Sequence, residues 1–222
     1  MNSSEQTQID YKYEIYRKMI HTCSLSIPVI YYFIPKNTGL IILGLVLLIS
    51  LIVDVGRFVS PPFAKFVYKF FGSIFRKHEL DEGKKQLSGA TWLLGAAILC
   101  IIVFPKAIAI VALLFLIVGD TVAALIGRKW GKTRFLKKSL EGTGAFFLST
   151  VVIAFLTPKF TDSWIEIGMI VFSGFVAAIA ENVASGVLDD NVAIPLSTGT
   201  VLWLLYWLFF PNLELVLKNV PV

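Results

Sequence analysis

The chain has 222 residues, 56% of them hydrophobic and only 16% charged, with a net charge of +5. Its mean hydropathy of +0.77 is too high for an ordinary soluble domain and points to an integral membrane protein. Apolar runs recur at lengths suited to crossing a bilayer, about 17–25 residues each, so any chemistry must use helix ends and short loops.

Residues 1–18 are polar, and the first apolar run lacks a small-residue cleavage site, so no signal peptide is expected. Seven apolar runs follow, at about 19–34, 39–58, 89–104, 107–126, 142–157, 165–188 and 192–210. The predicted fold is an all-α integral membrane protein of about seven spans. A single multi-span domain would cover 19–210, with a tail over 211–222. Cys23 and Cys100 lie inside apolar runs without metal-ligand spacing and read as packing residues.

The distribution of cations predicts orientation. With the N-terminus inside, the inner segments carry Lys12, Arg17 and Lys18, then Arg57, Lys65, Lys69, Arg76, Lys77, Lys84 and Lys85, then the six from Arg128 to Lys138. Only Lys36, Lys106, Lys159 and Lys218 remain outside. In the longest inner segment, Pro61-Pro62 suits a helix start. Phe63, Phe66, Val67, Phe70, Phe71, Ile74 and Phe75 then recur with helical spacing. This predicts an interfacial amphipathic helix over about 62–77, followed by a solvated loop, His78 to Gly83. The sequon Asn2-Ser3-Ser4 is a three-residue match on the cytosolic side of this topology.

Under this topology most of the costly polar groups fall at one depth. Glu14, Arg17, Lys18 and His21 share one helix face at the first span. Asp54 ends the second span and reads as a helix-end residue or a partner for Arg57. Asp120 follows ten apolar residues, Ile108 to Ile117, near the inner end of the fourth. Glu141 starts the fifth, Glu181 lies about two turns inside the sixth, and Asp189-Asp190-Asn191 close it. An acid in a membrane segment marks a functional site by default. Asp120 reads as a metal ligand, the adjacent Asp189 and Asp190 suit either a tight turn or Mg²⁺, and Arg128, Lys132 and Lys138 suit phosphate. A transporter would keep its charges near the midplane and show two related halves; neither is visible.

Gly127 to Thr133 nearly spells a P-loop, but three residues separate the glycines where the motif needs four, and a membrane helix precedes them where a strand is required. Gly127 and Gly131 instead form a GxxxG packing pattern. If the helix continues, Asp120, Ala124, Gly127 and Gly131 line a small-residue groove that lets phosphate approach the backbone.

The ordered set Arg17-Lys18-x-x-His21, Gly119-Asp120-Thr121-x-Ala123, Gly127, Gly131, Lys138-Ser139-Leu140-Glu141-Gly142-Thr143, Glu181 and Asp189-Asp190-Asn191-x-x-Ile194-Pro195-Leu196 resembles the CTP-dependent polyprenol kinase family, which includes dolichol, phytol and CTP-using diacylglycerol kinases. The resemblance spans residues 17–196. It implies phosphoryl transfer from CTP, with Mg²⁺, to the hydroxyl of a membrane lipid alcohol at the cytosolic interface. The related phosphatidate cytidylyltransferases carry a further histidine–glycine segment with paired acids; here no histidine follows His78.

On that resemblance Asp120, Asp189 and Asp190 would hold the metal, and Glu181, Asp190 or His21 would orient or deprotonate the lipid hydroxyl. Arg17, Lys18, Gly127, Arg128, Gly131, Lys132, Lys138, Ser139, Glu141, Thr143 and Asn191 would bind nucleotide and phosphate. No nucleic-acid partner is implied, and oligomeric state is left open. The scarcity of soluble regions suits a prokaryotic cytoplasmic membrane.

Overall fold

The computed structural model describes residues 15–72, 75, 85–161, 163–184 and 189–221, and within them the chain is nearly all helical. The sequence readings for residues 1–14 and for the loop 78–83 lie outside the described residues. The first apolar run is two helices, α1 (15–23) and α2 (Ser26–Phe33). Pro28 accounts for the break: it offers no N–H to the Ser24 carbonyl one turn earlier, and its ring crowds that carbonyl. Arg17 and Lys18 already belong to α1.

A long helix, α3 (Lys36–Val59), runs back to a short one, α4 (Pro61–Phe71). The Ser60 hydroxyl caps α4 by accepting from the Phe63 N–H at 3.4 Å. The described helix closes at Gly72, whose N–H bonds the Tyr68 carbonyl at 2.9 Å, and positions 73–74 and 76–77 of the predicted amphipathic stretch lie outside the described residues. Ala64 and Val67 pack inward while Phe66, Phe70 and Phe71 are exposed, the division expected of an interfacial helix.

Next come α5 (Gly89–Val103) and α6 (Lys106–Leu114). One π turn, Phe115–Gly119, joins α6 to α7 (Asp120–Trp130). Together Lys106–Trp130 make the central helix. Ala107 to Leu113 and Phe115 to Ile117 are buried on every side, as an apolar stretch without a polar face requires. A two-residue-stranded hairpin, β1 (Arg134–Phe135) and β2 (Lys138–Ser139), pairs Arg134 with Ser139 and Phe135 with Lys138. It leads into α8 (Leu140–Leu156), α9 (Trp164–Val183) and α10 (Asp190–Phe209), all packed around the central helix.

Four helices, α3, α6–α7, α9 and α10, are long and apolar enough to cross a membrane; α5 and α8 are apolar but shorter. α3 and α6–α7 start at the same end, where Lys36 donates to the Ile102 carbonyl at 3.0 Å, so they run parallel with α5 returning between them. The outward faces of α3, α8 and α10 carry Ile41, Leu45, Ile49, Leu148, Val152, Phe155, Trp203 and Trp207, all exposed, a surface that suits lipid rather than water. At the end remote from Asp120, Lys106 donates to the carbonyls of Ile34 and Pro221. The buried Glu166 there takes the N–H groups of Phe160 and Thr161, both at 2.7 Å, and the Tyr206 hydroxyl.

Candidate active site

Asp120 begins α7 directly after the π turn. Such turns are frequent at functional positions. The central helix passes close to α8 here: a Cβ on Gly119 would lie 2.7 Å from the Phe146 ring. The Asp120 carboxylate is buried and ion-paired with Lys18 of α1, itself buried. One turn beyond Lys18, His21 Nε2 lies 3.7 Å from Asp120 Oδ2. That nitrogen is buried and has no hydrogen-bond partner among the described residues.

A second cluster faces the first. Lys138, in β2, is ion-paired with Glu181 of α9 and lies 3.9 Å from Asp190 Oδ2 of α10. Glu181 sits in the last turn of α9, which ends at Val183, and not two turns inside it. Its Oε2 is buried without a partner among the described residues. Asp120, Glu181 and Asp190 each lie within electrostatic reach of the other two.

Asn182 holds the hairpin in place. Its Oδ1 accepts from the Lys137 and Lys138 N–H groups at 2.9 and 3.3 Å, and its Nδ2 donates to Thr143 Oγ1 at 2.6 Å. Sequence reasoning gave Asn182 no role. The available signal was a buried amide directly after an intramembrane acid.

Other expected phosphate ligands are built into this frame. Ser139 caps α8, its hydroxyl accepting from the Gly142 N–H at 3.2 Å, and Thr143 donates back to the Ser139 carbonyl at 3.1 Å. Glu141 is half-buried, and its carboxylate accepts from the Thr133 N–H at 3.0 Å. Asp189 caps α10, its Oδ1 accepting from the Asn191 N–H at 3.0 Å and the Asn191 Nδ2 at 2.7 Å. Asn191 is buried, and Pro195 supplies no N–H to its carbonyl. Arg128 and Lys132 lie exposed at the end of α7 and beyond it.

The small-residue groove is not open. The helix ends at Trp130, and a Cβ on Gly127 would lie 3.0 Å from Ser139 Oγ and 3.4 Å from the Gly142 Cα. A Cβ on Gly131 would meet Ser139 Oγ at 2.7 Å. These glycines let α8 and the hairpin approach α7, the packing use of the pattern. Asp54 serves structure in the same way. It pairs with Arg57 at 2.9 Å and accepts from the Ser88 N–H, Ser88 hydroxyl and Thr91 hydroxyl at 2.8, 3.0 and 2.7 Å.

A cavity of ≈ 330 Å³ opens onto the first cluster. Arg17, Lys18, His21, Asp120 and Asn191 line one side, and Val53, Val67, Phe71 and Leu93 line the other. Among the described residues no three His, Cys, Asp or Glu side chains close on one point as a preformed metal cage.

The chain is 30% identical over 223 aligned residues to the CTP-dependent diacylglycerol kinase 1 of Schizosaccharomyces pombe, covering 87% of this chain and 94% of that protein. It is 32% identical over 189 residues to an uncharacterized protein of Rickettsia prowazekii, covering 85% and 92%. It is 29% identical over 141 residues to a probable chloroplastic phytol kinase of Triticum aestivum, covering 56% and 47%. No family model and no solved structure matches the chain. With most of both chains aligned to the yeast enzyme, and with the motif residues gathered at one end of the bundle, the chain belongs to the CTP-dependent lipid kinase family.

Proposed function

We propose that the protein transfers the γ-phosphoryl group of CTP to the hydroxyl of a membrane lipid alcohol at the cytosolic face of its membrane. The observation that carries this reading is that a largely apolar cavity opens onto the buried Lys18–Asp120–His21 cluster. A lipid acceptor and a triphosphate need such a meeting point. CTP as donor rests on the family. A seven-span topology with the N-terminus inside is supported by the common end at which α3 and α6 begin, remote from Asp120, and by the bias of cations to the site end.

Phosphoryl transfer asks chiefly for charge neutralisation and in-line positioning. Lys18 and Lys138 are paired with Asp120 and Glu181. Exchanging those partners for phosphate oxygens would free both carboxylates. Arg17, at the cavity wall, adds a third cation. The residues fit Mg²⁺: three mutually repelling acids, one with an orphaned buried oxygen, suit an ion that takes one or two carboxylates together with substrate phosphates. Asp120 and Asp190 would hold it, with Asp189 Oδ1 engaged as the α10 cap. Bound there, Mg²⁺ would offset charge on the triphosphate.

His21 is the best-supported base among His21, Glu181 and Asp190, because its Nε2 is buried without a hydrogen-bond partner among the described residues and the residue lines the largely apolar cavity. As the lipid oxygen bonds to the γ-phosphorus, its proton passes to Nε2. The bond from that phosphorus to the bridging oxygen breaks, and CDP leaves.

The test supplies purified protein in lipid nanodiscs with γ-labelled CTP, Mg²⁺ and a panel of diacylglycerol, polyprenol, dolichol and phytol. Labelled lipid phosphate is expected. A CDP-lipid with release of pyrophosphate would overturn the kinase reading in favour of cytidylyl transfer.

A further inference from the structure

Two cavities adjoin each other. The one at the charged cluster shares Ser24, Ala90 and Leu93 with a second of ≈ 420 Å³. The second runs between α2 and α3 as far as Tyr31, Ile34 and Gly39. It contains no charged residue. It opens sideways, because Ile30, Ile42 and Val46 along it are 51%, 47% and 44% exposed on the lipid-facing surface. Its far end is closed by the Tyr31 ring, which would lie 3.0 Å from a Cβ on Gly39.

The combined space thus has one charged end, a long apolar body and a lateral opening. That polarity matches an amphiphile with a single polar terminus. Resting on the lipid-kinase reading, we propose that the α2–α3 groove holds one hydrocarbon chain of the acceptor. The chain enters sideways from the bilayer, passes Ala90 and delivers its hydroxyl to His21. The thirteen steps from His21 to Ile34 cross the break between α1 and α2, so they span at most the roughly 20 Å of an unbroken helix, about two thirds of the hydrocarbon thickness. The groove would therefore measure chain length, and Ala90, which lines both cavities, sits where the chain would pass between them. A larger apolar groove of ≈ 700 Å³ between α2, α6 and α8 shares no residue with either charged cluster and makes the rival path.

The test has two arms. A primary alcohol with a photoreactive group at its far end is irradiated with the protein in nanodiscs, and the labelled peptides are mapped. Label is expected on the peptides of Ile30, Ile42 and Val46. Label on Val152 and Leu156, or spread evenly over the exterior, overturns the proposal. This arm needs no turnover. Label in the groove without phosphoryl transfer would sink the kinase reading and leave the groove; transfer with label elsewhere would do the reverse.

In the second arm Ala90→Phe narrows the passage. Ala90 is exposed to the cavities, so the ring meets open space. The KM ratio of long-chain to short-chain alcohols is expected to rise about tenfold, the effect of taking a pair of methylenes out of apolar contact. An equal change for both chain lengths overturns the proposal. Val46→Trp, at an exposed groove position, makes the same comparison should Ala90→Phe fail to fold.

Discussion

Lys18 on the first helix and Asp120, 102 positions further along the chain, form a buried ion pair at the start of α7. The pair ties α1 to the central helix and keeps both charges where a triphosphate would be recognised. Asp120→Asn is expected to abolish phosphoryl transfer. It should also lower stability by about 3–5 kcal/mol, because it strands the Lys18 charge in a buried site. The double variant Lys18→Met/Asp120→Leu should recover stability and remain inactive. Thermal unfolding in detergent beside a transfer assay checks both halves, and near-normal turnover in Asp120→Asn would remove its assigned role.

Asn182→Ala takes the shared acceptor from the Lys137 and Lys138 N–H groups and the donor from Thr143. Losing the buried bond to Thr143 and the part-buried ones to the hairpin costs ~1–3 kcal/mol. The expected signature is a raised KM for CTP, because Lys138 loses its station against Glu181. Limited proteolysis should cut faster between Gly131 and Ser139. An unchanged KM for CTP with faster proteolysis would separate the hairpin from nucleotide binding.

His21→Gln should lower kcat by roughly 10²–10⁴, the usual contribution of a positioned general base. The KM for CTP should change little, because His21 faces the apolar cavity. A fall in kcat of less than about tenfold would pass the role to Glu181 or Asp190, which Glu181→Gln and Asp190→Asn then distinguish.

The glycines divide into two kinds. Gly127→Leu must displace Ser139 and Gly142, which lie 3.0 and 3.4 Å from the position of a Cβ, and should cost about 1–3 kcal/mol through overpacking. Gly144, inside α8, has nothing within 4 Å of that position. Gly144→Ala should therefore stabilise by about 0.5–1 kcal/mol through helix propensity. Melting temperatures of the two variants test the assignment of Gly127 to helix packing.

The sequence revealed the helical membrane class and the gathering of Asp120, His21, Lys18, Glu181 and Asp190 at one end, because apolar run length and charge position are local properties. The pairing of Asp54 with Arg57 was legible for the same reason: the two lie three positions apart on one helix. Partner choice across the bundle was not. Nothing local says that Lys18 meets Asp120 or that Asn182 clamps the hairpin. The spacing of Gly127 and Gly131 was visible, but whether the groove stays open depends on Ser139 and Gly142 arriving from the next helix. The break at Ser24–Leu25 was written in Pro28 and hidden by the continuous apolarity around it.

The most direct test of the account follows both phosphates of the donor. CTP labelled at either the α or the γ position is incubated with the purified protein, Mg²⁺ and a long-chain lipid alcohol, and the lipid product is isolated. The account predicts γ label in the lipid, α label retained in CDP, and neither transfer with Asp120→Asn. Label from the α position in the lipid would contradict it.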